Sequence, residues 1–150
     1  MFKKILCLLI LLFACNSLLF AGEKTFFYGH LKSNEVNLRS GPNKDFPLLI
    51  TYKMKNMPIH VIDKYDNWYK VIDKDGDKGW IIANLISDRS KTVITLQDQL
   101  LFSNHNKEAY PIYRVEKNVV FKLHKCKKTR CKVSKQDITG WLNKETIWGY

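Results

Sequence analysis

Cys126 and Cys131 are the residues nearest to obvious chemistry. Outside the cytoplasm so close a pair reads most simply as a disulfide closing a small loop. Zinc would need more ligands, and His124 adds only one. A catalytic thiol would need a histidine and an acid in a recognisable arrangement, and no such set is legible. A second chemical stretch is Asp73-Lys74-Asp75-Gly76-Asp77. Alternate carboxylates chelate calcium, but an EF-hand loop counted from Asp73 wants Gly sixth and Glu twelfth, where Lys78 and Asn84 stand. The Asp-Gly pair instead predicts a hairpin turn in which both central residues take positive φ. His30, His60, His105 and His124 show no metal-site spacing. The expectation is no metal, no cofactor and no catalytic set.

Two groups of side chains carry binding chemistry. The first gathers around Val36-Asn37-Leu38-Arg39-Ser40-Gly41-Pro42, a short strand running into a turn. Asn37, Arg39, Asn43, Asp45, Tyr52 and Tyr69 are the candidate lining of a shallow ligand groove, with aromatic faces to hold and polar groups to orient. Trp68, Trp80 and Trp141 are assigned to cores, because small barrels need large apolar side chains. The second group is basic: Lys122, Lys125, Lys127, Lys128, Arg130, Lys132 and Lys135. With Phe121 and Leu123 facing inward, Lys122 and His124 face out and Lys132 opposes them. That makes a cationic face for an anionic partner, or lysines that protect a sheet edge from pairing.

The elements that position these groups are short strands. In the first half they are predicted at Val36 to Leu38, Leu48 to Tyr52, Met57 to Ile62, Trp68 to Ile72 and Gly79 to Ile82, with a helical turn at Asn84-Leu85-Ile86. Thr25 to Leu31 opens the domain with packing aromatics. Such a run of strands is a small barrel. Lys91 to Leu96 reads as a strand shared with the first unit. The layout then recurs. Leu100-Leu101-Phe102-Ser103 stands for Asn37-Leu38-Arg39-Ser40, Cys131-Lys132-Val133 for Tyr69-Lys70-Val71, and Gly140-Trp141 for Gly79-Trp80. The fold class is therefore all-β, a tandem pair of barrels.

Of 150 residues, the first 21 read as a secretory signal, with Lys3 and Lys4 before an apolar run and Ala21 before the cut. The alternatives are a lipoprotein carrying lipid on Cys15 and an uncleaved anchor helix. All three place the remainder outside the cytoplasm, in the periplasm or cell envelope. The expected division is 1–21 signal, 22–90 first barrel and 91–150 second barrel. Residues 22–90 hold 11 bases and 9 acids, net +2; residues 91–150 hold 12 bases and 5 acids, net +7. The second half thus favours contact with an anionic polymer or a membrane surface.

Val36-Asn37-Leu38-Arg39-Ser40-Gly41-Pro42, Asp66-Asn67-Trp68, Gly76 and Gly79-Trp80 resemble bacterial SH3-like domains. The pair Cys126 and Cys131, Gly140-Trp141-Leu142 and the closing Ile147-Trp148-Gly149 are similar to the second copy of an exported branch with two such domains. The resemblance implies two small, strongly bent SH3-like barrels and no enzymatic activity. It implies attachment to peptidoglycan or another cell-wall component, or service as a periplasmic protein–protein adaptor; no nucleic-acid partner is expected. The second copy departs from the pattern twice. Arg130 precedes Cys131 where the branch usually carries Trp, and Phe102-Ser103-Asn104-His105 replaces the Arg-Ser-Gly-Pro turn.

Overall fold

The computed structural model describes residues 27–89 and 91–150. The expected signal segment and Cys15 lie outside the described residues. Alternation of apolar and polar side chains builds antiparallel strands throughout, because a period of two puts one face on a core. The first sheet comprises β1 (Phe27–Leu31), β2 (Val36–Arg39), β3 (Leu48–Tyr52), β4 (Pro58–Tyr65), β5 (Trp68–Ile72), β6 (Lys78–Ile82) and β7 (Ile86–Ser87), in the order β3-β2-β6-β5-β4-β1-β7. The second comprises β8 (Thr92–Thr95), β9 (Gln99–Phe102), β10 (Pro111–Val115), β11 (Val120–Cys126), β12 (Arg130–Lys135), β13 (Ile138–Asn143) and β14 (Ile147–Trp148), in the order β10-β9-β13-β12-β11-β8-β14. The two orders are the same arrangement repeated. In each sheet a single 3-10 turn, at Ala83–Leu85 and at Lys144–Thr146, leads into the last strand.

Each sheet curls around its own apolar cluster. Leu31, Val36, Leu38, Ile59, Val71 and Ile81 fill the first. Val93, Leu101, Phe121, Val133 and Leu142 fill the second, together with Cys131. Register shifts bend the strands between Leu38 and Arg39, between Val61 and Asp63, and between Leu123 and Lys125. Each such bulge adds a residue to one strand and sharpens the local twist, which lets a small sheet close on itself.

Three expectations are corrected in detail. The strand at Lys91 to Leu96 is not shared: Thr92–Thr95 pairs with β11 and β14 of the second sheet. It looks shared because all four of its side chains are buried. Val93 faces the second core, while Ile94 points at a space lined by Tyr52, Met54 and Met57 of the first barrel. The Asp-Gly hairpin forms between β5 and β6, but among the residues of that turn only Gly76 has positive φ, at 89°. The Asp73 amide donates to the Asp77 carbonyl and the Gly76 amide to the Asp73 carbonyl, a wider turn than the two-residue form. Lys132 opposes Lys125 instead of Lys122, because the bulge after Leu123 resets the alternation.

The barrels touch through aromatic rings. Tyr28 stacks on His60 at 4.4 Å and meets the edge of Trp148, from the second barrel, at 5.4 Å.

Candidate functional site

In β6 the buried residues Gly79 and Ile81 alternate with the half-buried Trp80 and Ile82. Trp80 therefore stands on the outer face of the sheet. Arg39 of β2 is its neighbour on one side and Lys70 of β5 its neighbour on the other. The Lys70 ammonium lies 5.9 Å from the centre of the Trp80 ring, within reach of its π face. Trp68 lies two pairs along, opposite Ile82, on that same outward side. Trp68 and Trp80 thus leave the core positions expected of them, whereas Trp141 is buried, at 7% exposure. Alternation against Ile81 was the signal that placed Trp80 outside.

The turn after β2 is fixed by the candidate residues themselves. The Arg39 guanidinium donates to the Phe46 carbonyl at 2.8 Å, and the Ser40 amide donates to the Pro47 carbonyl at 3.0 Å. The Asn43 side chain accepts the Asp45 amide at 3.3 Å. Asn37 accepts the Thr51 hydroxyl at 2.9 Å, which ties β2 to β3 on the exposed side. So Asn37, Arg39, Asn43 and Asp45 come together around one strand and its turn. Tyr52 and Tyr69 do not join them. Tyr52 is buried, and its phenol donates to Asp73 at 2.9 Å. Burial first, then the Asp73 carboxylate, pushes that phenol well above the usual tyrosine range. Tyr69 packs against the first core, with its ring 5.6 Å from Phe27.

Asp73 explains the acidic run. Its other carboxylate oxygen accepts the amides of Asp75 and Asp77, both at 2.9 Å, so the first carboxylate organises the hairpin turn. Among the described residues no group of three or more His, Cys, Asp or Glu is arranged to hold a metal ion.

The bacterial SH3 domain family matches residues 32–88 and again 101–149. The chain belongs to that family. Its two bacterial SH3 domains coincide with the two barrels, and domains of this kind commonly bind cell wall. Among solved structures, NlpC1 from Trichomonas vaginalis is similar at 11% identity and a TM-score of 0.39, over 87% of this chain and 48% of its own. NlpC2 from the same organism is similar at 10% identity and a TM-score of 0.38, over 86% of this chain and 50% of its own. The chain thus spans about half the length of each. No curated protein matches it.

The second SH3 domain fills the place that the first leaves open. Phe102, Trp141 and Lys132 occupy the positions of Arg39, Trp80 and Lys70. His105 covers Trp141 at 4.7 Å, and the Arg130 guanidinium lies 3.8 Å over the Phe102 ring. Arg130 also donates to the carbonyls of Asn104 and Asn106 and to the Asn143 side chain. It is a half-buried tie between a loop and a hairpin. Lys122, Lys125, Lys127 and Lys128 are exposed, and Lys132 is half-buried. Among the described residues no carboxylate forms an ion pair with these lysines, so their charge faces solvent.

Cys126 and Cys131 are bonded, joining β11 to β12 as the spacing predicts. Cys131 is fully buried in the second core. A loop this short gives a modest entropic gain in the chain-entropy account, so reduction is expected to lower stability by about 2 kcal/mol. Urea unfolding with and without reductant checks it. A Cys126→Ala/Cys131→Ala variant should unfold at one midpoint in both conditions.

Proposed function

We propose that this protein is a non-catalytic binding module of the bacterial envelope, which holds peptidoglycan or another cell-wall component on the outer face of its first barrel. The observation that carries this reading is Trp80. It lies half-buried between Arg39 and Lys70 on an open face, while its counterpart Trp141 is sealed by His105 and Phe102 with Arg130. An aromatic flanked by cations and hydrogen-bonding side chains suits a polymer of sugars and acidic peptides. Asn37, Asn43 and Asp45 supply the polar rim. Export to the periplasm or envelope, by a cleaved signal or with lipid on Cys15, belongs to the same reading. The disulfide is consistent with an oxidising compartment.

Co-sedimentation of the purified protein with isolated sacculi across a salt series tests it. Binding should persist at moderate salt, and Trp80→Leu should weaken it about tenfold, the scale of a central aromatic anchor. Absence of binding at low salt sinks the wall reading. Binding that vanishes by moderate salt and survives Trp80→Leu assigns it to the hairpin lysines as non-specific charge.

A second reading, an adaptor for an envelope protein, draws on a different observation. β3 is an outer strand of its sheet, and it presents Leu48 at 52% and Leu49 at 50% exposure beside Phe46 at 44%. An extended peptide adds to such an edge through main-chain hydrogen bonds.

A further inference from the structure

Where the barrels meet, a cavity of about 490 Å³ opens, and Arg39, Lys70 and Trp80 are not among its lining residues. Lys55 and Asn56 reach it from the first barrel; Thr92, Lys122, Lys135 and Gln136 reach it from the second. Its lining holds three lysines and no carboxylate. Thr92 is 7% exposed, and its hydroxyl has no hydrogen-bond partner. A buried hydroxyl left unpaired costs folding free energy, so a native one calls for an explanation. Ser134 also lines the space, with its hydroxyl 2.7 Å from the His124 ring.

We propose that this inter-barrel cleft binds a phosphoryl group, with the Thr92 hydroxyl as its buried donor and Lys55, Lys122 and Lys135 as its counter-charges. The polar residues that line it are one-sided in charge: three lysines, with Thr92, Ser134, Asn56 and Gln136 as further side chains able to donate. A phosphoryl group offers three strong acceptor oxygens and up to two charges, which uses more of that set than a carboxylate does. The protein walls on both sides focus the lysine field into the cleft. The site needs both barrels, which gives the repeat a consequence that neither copy has alone. It does not rest on wall binding, and its test contains no cell wall.

The experiment is a titration of the full, oxidised protein with inorganic phosphate at constant ionic strength, followed by amide NMR and by thermal melts. Glycerol 3-phosphate in a second arm separates a free anion from an ester, and sodium acetate is the comparison. Phosphate or its ester should give saturable shifts at Asn56, Thr92, Lys122 and Gln136 and leave Lys127 and Lys128 unmoved. Lys135→Gln should weaken binding about fivefold or more, as the loss of one charge-assisted hydrogen bond does. Thr92→Val is diagnostic, because it removes an unpaired polar group: its melting temperature without phosphate should equal or exceed the parent's, while the rise on adding phosphate is lost. Thr92→Ser should keep that rise. Shifts at every exposed lysine without saturation, equal binding of acetate, or a Thr92→Val protein with the parent's phosphate affinity would each overturn the proposal.

Discussion

Gly79→Ala is expected to cost about 3 kcal/mol, the upper part of the range for forcing an extra carbon into a packed core. A Cβ at this position would sit 2.6 Å from the Arg39 carbonyl oxygen and 2.7 Å from Cγ of Leu38. The Arg39 oxygen is backbone, so relief requires β2 to move off β6 at the place where Arg39 and Trp80 are paired. Leu38 is fully buried and has no room to retreat. The melting temperature should fall by on the order of 10 °C or more for a unit of this size. Gly140→Ala is the informative comparison. The nearest atoms there are all from the Leu101 side chain, with Cγ at 2.5 Å, so a rotamer change takes up part of the strain and the loss is smaller. Thermal melts of the two variants rank them. A Gly79→Ala protein that melts within a few degrees of the parent would show that β2 and β6 are not held this closely. The same glycine sets Arg39 beside Trp80, so its substitution should weaken sacculus binding as well.

The sequence carried the frame of this protein because the frame rests on local rules. Val36 and Leu38 alternate with Asn37 and Arg39, and that is enough to make β2 and aim its side chains. Gly79-Trp80 and Gly140-Trp141 repeat because each barrel needs a strand thin enough to be crossed at close range. What escaped depends on partners distant in the chain. β1 includes Gly29 and His30, which interrupt any apolar alternation, and its place is fixed by pairing with β4 and β7. Bulges were equally silent, so the outward row on the β11–β12 hairpin could be named while its cross-strand pairs could not. Arg130 looked like one more surface cation, since nothing nearby in sequence announces the Asn104 and Asn106 carbonyls that it grips. The cleft between the barrels has no linear signature at all. Its lining comes from four separate turns and strands.

Tyr52→Phe is expected to reverse its effect with pH. At neutral pH the substitution removes the hydrogen bond from the buried phenol to Asp73, itself 4% exposed, at a cost of about 2 kcal/mol for a bond to a charged acceptor. The turn itself survives, because the other Asp73 oxygen keeps the amides of Asp75 and Asp77. Burial and the neighbouring carboxylate hold the Tyr52 phenol above the ordinary value of 10.0, so the folded protein keeps the proton where the unfolded chain loses it. A group raised in this way contributes stability that is complete below the unfolded value and is lost as pH climbs toward the folded one. Above about pH 10 the parent should lose about 1.4 kcal/mol per pH unit through this phenol alone. Phenylalanine does not titrate, and the lysines common to both proteins cancel in the comparison. The gap of about 2 kcal/mol should therefore close near pH ~11.5, and beyond that the Tyr52→Phe protein should be the more stable. Urea midpoints for the two proteins at a series of pH values from neutral to alkaline would locate the crossing. Curves that stay parallel throughout would mean a phenol that titrates in the open, as a ligand-facing tyrosine would, and would return Tyr52 to the surface of the groove.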